Sequence, residues 1–208
     1  YEKREINALM SVVEKYRAEA ERIGRDDVYE VLSRVPWEAP RTFREALQFF
    51  RIVHYALWLE GTYHVTCGRF DKYMYPYYKA DIDAGRLTDE EALDLVTDFF
   101  LSFNIDSDLY PGVQQGDNGQ SMVLGGCDAD GNDWFTRLSE ICLLASGKNK
   151  LIDPKINMRV SKSTPADRFV KGSRLTAVGM GFPQYSNDDV VIPGLEKLGY
   201  AHEDAAEY

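Results

Sequence analysis

Apolar residues recur every three or four positions through the first part of the chain. Ile6, Leu9, Met10, Val13 and Tyr16, set among charges, predict a helix over residues 3–23 that Gly24 stops. A shorter helix is expected over 27–34, ended by Val35-Pro36. Thr42 to Glu45 has the spacing of a capping box, and Phe43, Ala46, Leu47, Phe50, Val53 and Leu57 form one apolar stripe behind it, which predicts a helix to about Glu60. Gly61 to Arg69 breaks the pattern. Helical spacing resumes over 70–83 with an aromatic face of Phe70, Tyr73, Tyr75, Tyr77 and Tyr78, and Gly85 closes it. A second capping box, Thr88 to Glu91, opens a helix carrying Leu93, Val96, Phe99 and Phe100 to about Asn104.

From there the period changes. Residues 105–120 are polar with four Gly/Pro positions, Pro111, Gly112, Gly116 and Gly119, and loops longer than about 12 residues in compact domains are often functional. Ser121 to Leu124 reads as a short strand, followed by Gly125-Gly126 and a turn at Asp130-Gly131; Asn132 or Asp133 is expected to cap a helix to about Ser146. Ile156 to Val160 alternates as a strand, and Thr164-Pro165 starts a helix with proline at its first position. Gly179 to Tyr185 is a strand or turn, Asn187 caps residues 188–198, and a further element begins at Ala201. Helices first and strand–helix alternation afterwards predict a single α/β unit with a helical N-terminal layer.

Charge narrows the partners. The chain has 208 residues, with 34 acidic against 24 basic side chains and a formal charge of −10, which argues against nucleic acid and anionic membranes. At 44% hydrophobic it can bury a core without disulfide or metal, and no apolar run approaches the roughly 20 residues of a membrane span. Cys67, Cys127 and Cys142 match no zinc pairing and no disulfide framework, so a reducing, cytoplasmic setting is expected. A start at Tyr1 without the features of a secretory signal is expected of a trimmed chain or a piece of something longer.

Candidate motifs have bland readings beside the sharp ones. Asp128 to Asn132 resembles a calcium loop, but the required sixth and twelfth positions hold Asp133 and Ser139, which favours a turn. Gly179-Met-Gly181 lacks the third glycine of a dinucleotide fingerprint, and Pro183 interrupts the helix it would need. His64 and Cys67 are a metal-capable pair, yet His54 and His202 do not complete a site, so a loop with a buried thiol is preferred. His54 lies on an apolar stripe as a core histidine, and the tyrosines of 73–78 are read as packing.

Several segments in collinear order resemble the glycyl radical enzymes, the family of pyruvate formate-lyase and of the radical dehydratases, lyases and decarboxylases. These are Arg41 to Gln48; Gly68-Arg69-Phe70-Asp71 with Tyr75 to Tyr78 and Asp81 to Ala92; Leu124 to Gly126 with Asp128 to Asn132; Lys155 to Val160; Gln184 to Pro193; and Glu203-Asp204. The resemblance covers about residues 36–208 and implies part of a ten-stranded α/β barrel, with residues 1–40 as a helical lead-in and 41–208 as a half-barrel portion of a single fragment. It implies a glycyl radical installed by an activating enzyme that uses S-adenosylmethionine and an iron–sulfur cluster. The radical then oxidises a cysteine to a thiyl that takes hydrogen from a small-molecule substrate.

That cysteine follows the Glu-Asp-Ala helix within about a dozen residues in the family, and this sequence stops at Tyr208. None of its three cysteines matches the position and no glycyl loop is present, so the segment is expected to carry no catalytic residue, bind no cofactor or metal, and be inactive by itself. Expected partners are the activating enzyme, the remainder of the polypeptide and a second copy in a homodimer. In dehydratase-like members a histidine and a serine of the loop after the Thr42 helix touch substrate hydroxyls, and Tyr63 or His64 takes that place here. Arg69, Asn157, Arg159 and Tyr185 complete the substrate-binding candidates, with Arg69 equally readable as a structural ion-pair former. Features of Gln184 to Asp189 resemble pyruvate formate-lyase while Val190 to Pro193 resembles the dehydratases and decarboxylases, leaving carbon–carbon and carbon–heteroatom cleavage both open. Two other classes stay in view: a non-catalytic scaffold built from the same barrel half, and a metal enzyme on His64 and Cys67.

Overall fold

The computed structural model describes residues 2–59, 64–105 and 119–208. The chain divides into two compact units, Tyr1–Thr62 and Tyr63–Tyr208.

The first unit is helical: α1 (Glu2–Arg22), α2 (Asp26–Arg34) and α3 (Phe43–Leu59). At the start of α3 the Thr42 hydroxyl accepts from the Glu45 amide at 3.2 Å, while the Glu45 carboxylate turns one residue further out and accepts from the Arg41 amide at 2.7 Å. Glu45 is buried, and burial raises its pKa, but the Arg41 guanidinium and amide outweigh this and hold it below the usual range. His54 is buried and stacks on Phe50 with ring centroids 5.5 Å apart, as expected of a core histidine.

The second unit is built on a parallel sheet of four strands among the described residues, ordered β1 (Gly68–Arg69), β2 (Ser121–Gly125), β3 (Lys155–Val160) and β4 (Gln184–Asn187). Helices α4 (Phe70–Asp83) and α5 (Asp89–Ile105) connect β1 to β2; α6 (Arg137–Asn149) connects β2 to β3 and α7 (Ala166–Ala177) connects β3 to β4. Parallel neighbours require such crossovers, which place helices on a sheet face. After β4 come α8 (Asp188–Lys197) and α9 (His202–Ala206).

Alternation along the strands separates two faces. Met122 and Leu124 of β2 and Ile156 and Met158 of β3 are fully buried, together with Leu138, Ile141 and Cys142 of α6. Between them Ser121, Val123, Lys155 and Asn157 are half-buried and point to the other face. Phe70 stacks on Phe99 at 5.3 Å, joining α4 to α5, and within α5 Phe99 meets Phe103 edge-on at 4.9 Å. Gly172 lets α7 approach the sheet: a Cβ there would meet the Tyr185 hydroxyl at 2.4 Å and Met158 Sδ at 3.3 Å.

Several boundaries differ from expectation for identifiable reasons. The cap of α6 is Thr136, not Asn132 or Asp133: its amide donates to the Ser139 hydroxyl at 2.9 Å and its own hydroxyl accepts from the Ser139 amide. Asn132 and Asp133 are occupied by the preceding turn, where Asp128 accepts from the amides of Asp130 and Asn132 and Cys127 bridges Asp133. Pro165 is the N-cap of α7 rather than its first helical residue. The two-residue β1 carries too short a pattern to read. Thr88 to Glu91 forms a reciprocal box as expected, and Asn187 caps α8 by accepting from the Asp189 amide at 3.0 Å.

Candidate functional site

The strand register assigns the four strand-borne candidates, Arg69, Asn157, Arg159 and Tyr185, to faces. Arg69, Val123, Asn157 and Gln184 form one row across the sheet, Leu124, Met158 and Tyr185 the next, and Gly125, Arg159 and Ser186 the third. Neighbours in a row point the same way, so Arg69, Asn157 and Arg159 share the sheet face opposite Met122, Leu124, Ile156 and Met158. Tyr185 lies on the opposite face, where its ring stacks on Phe169 of α7 at 6.2 Å. Tyr63 lies outside the described residues, as does most of the polar segment 105–120.

His64 sits at the other end of the strands. It is exposed, and its ring lies so close to Gly119, two residues before β2, that a Cβ there would fall 1.6 Å from Nδ1. The length of β2, on the order of 15 Å, separates that end from Arg159. Cys67 is buried, and its amide donates to the Ser121 carbonyl at 2.6 Å. No group of three or more potential metal ligands is present among the described residues.

At the carboxyl ends of the strands a buried ionic cluster forms. The Arg159 side chain is fully buried and pairs with Asp188 at the start of α8 through Nε to Oδ1 at 2.9 Å and Nη2 to Oδ2 at 3.1 Å. Its remaining donors reach the end of α9 and beyond, to the Ala206 carbonyl at 3.0 Å and the Tyr208 carbonyl at 2.9 Å, and its Cζ lies 4.0 Å from the Tyr208 ring centroid. Asp188 also accepts from the Cys127 amide at 2.9 Å and the Tyr208 hydroxyl at 2.7 Å. Burial raises the pKa of Asp188, but these donors, led by Arg159, hold it below the usual carboxylate value.

Arg69 enters from β1. It is 9% exposed, and donates to the Gly125 carbonyl at 3.2 Å and the Ala206 carbonyl at 3.3 Å; its Nε has no partner among the described residues. Burial and the nearby Arg159 charge lower its pKa, while Glu207, 3.3 Å away, opposes them. Beneath it Asp71 is wholly buried, accepting from the Gly125 amide at 2.7 Å and from the Ser139 hydroxyl. Burial pushes its pKa up to about 6 against those bonds and the Arg69 charge. The three cysteines are buried; burial raises the Cys142 thiol well above its usual value and the Cys127 thiol to about 11, where neither is a ready nucleophile at neutral pH.

The cluster can hold backbone and buried charge in place, and the half-buried Asn157 amide beside it, donating to the Lys155 carbonyl at 3.3 Å, can present a polar group to a ligand. Sequence reasoning singled out Arg69 and Arg159 but missed Asp71, Gly126, Asp188 and Tyr208. The signs of Asp188 were its place directly after a helix cap and its position inside the Gln184 to Pro193 segment of the resemblance.

The model of the pyruvate formate lyase-like family matches residues 6–208. The chain belongs to that family. Among curated relatives, the (2S)-3-sulfopropanediol dehydratase of Klebsiella oxytoca is 30% identical over 176 residues, 81% of this chain and 21% of its own length. The 4-hydroxyphenylacetate decarboxylase glycyl radical subunit of Clostridioides difficile is 31% identical over 78% of this chain and 19% of its own. Among solved structures, a glycyl radical enzyme from Archaeoglobus fulgidus superposes with a TM-score of 0.88 at 25% identity, over 97% of this chain and 28% of that one. A Roseburia inulinivorans structure concerned with 1,2-propanediol dehydration gives 0.87 at 27% identity over the same shares. The chain thus spans about a fifth of the curated relatives' length, and its parallel sheet is a section of the family's barrel.

Proposed function

We propose that this chain is one section of a cytoplasmic, anaerobic glycyl radical enzyme that cleaves a carbon–heteroatom or carbon–carbon bond of a small organic substrate. The observation that supports it most is the match of residues 6–208 to the family together with superposition of 97% of the chain on 28% of a glycyl radical enzyme. Relatives named as dehydratases, a decarboxylase and a sulfite-lyase favour elimination or decarboxylation over acyl transfer.

The radical glycine and the hydrogen-abstracting cysteine belong to the longer polypeptide, activated by its S-adenosylmethionine-dependent partner. This section supplies barrel wall. Asn157, at mid-strand on the same sheet face as Arg159, is the side chain we assign to substrate, and His64 lies at the opposite end of the strands. Arg69 and Arg159 are committed to internal carbonyls and acids and act on geometry; Tyr185, stacked on α7, acts in packing. Burying reacting groups in a barrel excludes water from reactive intermediates.

The test is to produce the complete polypeptide anaerobically with its activating enzyme and examine it by electron paramagnetic resonance. A glycyl radical signal and product from small diols, hydroxy acids or sulfonates is expected, and residues 1–208 alone should give neither. A complete polypeptide that takes up no radical sinks the reading and leaves the scaffold alternative.

A further inference from the structure

We propose that Arg69 and Arg159 are positioning residues that clamp the backbone at Ala206 and Tyr208 and so set the path of the chain that follows. The inference rests on the glycyl radical reading, in which that following chain carries the hydrogen-abstracting cysteine.

Two guanidiniums from different strands converge on one short helix end. The Ala206 carbonyl accepts from Arg69 Nη1 at 3.3 Å and from Arg159 Nη2 at 3.0 Å, and the Tyr208 carbonyl accepts from Arg159 Nη1 at 2.9 Å. Carbonyls at a helix C-terminus lack intrahelical donors and need such partners. Side-chain contacts hold the same segment: Tyr208 donates to Asp188, Glu207 meets Arg69 and Lys72, and Ala205 and Ala206 pack with Cys127 and Ile192.

The site is shaped for a planar fork. Gly126 has φ +95°, and a Cβ on it would fall 2.8 Å from Arg159 Nε and 2.9 Å from Cζ, so the guanidinium occupies space that any other residue would fill. A buried ion pair is poor value as stability alone, since apolar replacements are often as stable. What the fork adds is direction, two carbonyls and a carboxylate fixed at once, which a lysine's single ammonium cannot reproduce.

The experiment compares the complete polypeptide with its Arg159→Lys and Gly126→Ala variants after anaerobic activation, reading glycyl radical yield, kcat, KM and amide exchange. Radical yield and KM are expected to stay at wild-type values while kcat falls about 100-fold for Arg159→Lys, the loss that a displacement near 1 Å can produce. Gly126→Ala, which moves the same fork without removing it, should show the same split more weakly. Amides immediately after Tyr208 should exchange faster with β2 and β3 still protected. Wild-type kcat in both variants overturns the proposal. So does a parallel loss of radical yield, KM and strand protection, which marks a merely structural role. If the wild-type polypeptide takes up no radical, it is the functional reading that fails. The exchange comparison then decides the clamp by itself, and unchanged protection after Tyr208 in Arg159→Lys overturns it.

Discussion

Adjacent residues of β3 do opposite work. Ile156 and Met158 are sealed under helices, whereas Asn157 and Arg159, one step along the same strand, face away and meet an amide carbonyl and a charge network. The first pair obtains its energy from removing apolar area from water, which is tolerant of direction; the second obtains specificity from donors that must match individual acceptors. One face therefore holds the fold together while the other fixes geometry.

Breaking the ionic side at its centre should cost most. Arg159→Ala leaves Asp188 buried without its main partner, and urea unfolding is expected to show a loss of about 3–5 kcal/mol. On the apolar side, Met158→Ala should cost about 2–5 kcal/mol by opening a cavity, whereas Asn157→Ala, one residue away, should stay within about 0.5 kcal/mol while raising KM in the complete enzyme. Equal stability losses for the pair would erase the distinction between faces.

Asp71 joins the two regions, being buried among apolar groups yet bonded to the Gly125 amide. Its folded pKa of about 6 lies above the ordinary carboxylate value, so the folded state binds the proton more tightly. Its contribution is fullest below the unfolded value near 4, declines as pH rises to about 6, and is flat above. Replacing it as Asp71→Asn should remove that decline, measured as the difference in unfolding free energy between pH 4 and pH 7. A slope of the same size in the variant would remove Asp71 from the account. The smallest effect is expected at the cap, where Asn187→Ala removes the acceptor for the Asp189 amide and should cost about 1 kcal/mol in urea unfolding.

Most helices and the cores of β2 and β3 were legible because periodicity and capping chemistry are local: Thr88 to Glu91 and Asn187 form their caps from residues within three positions. The α6 cap was misplaced because Asn132 and Asp133 are good capping residues already engaged in a turn, and Ser139 at the third helical position is a weaker sign than glutamate. Candidate site residues were nameable only through the family resemblance, and their arrangement was not legible. Tyr185 looked equivalent to Asn157 until the register placed it on the α7 face.

By itself the sequence determined the α/β class, the helix-first order and the membership in a radical enzyme family, all properties of local periodicity and of motifs in linear order. The tertiary structure alone decided that Arg69, Arg159, Asp188 and Tyr208, spread over 140 positions of chain, join one hydrogen-bonded network, Arg69 meeting Arg159 on the Ala206 carbonyl and Arg159 meeting Asp188 and Tyr208 directly. Parallel strands joined by helical crossovers bring their carboxyl ends together whatever the separation along the chain, and only there can two strand-borne guanidiniums reach the same carbonyl.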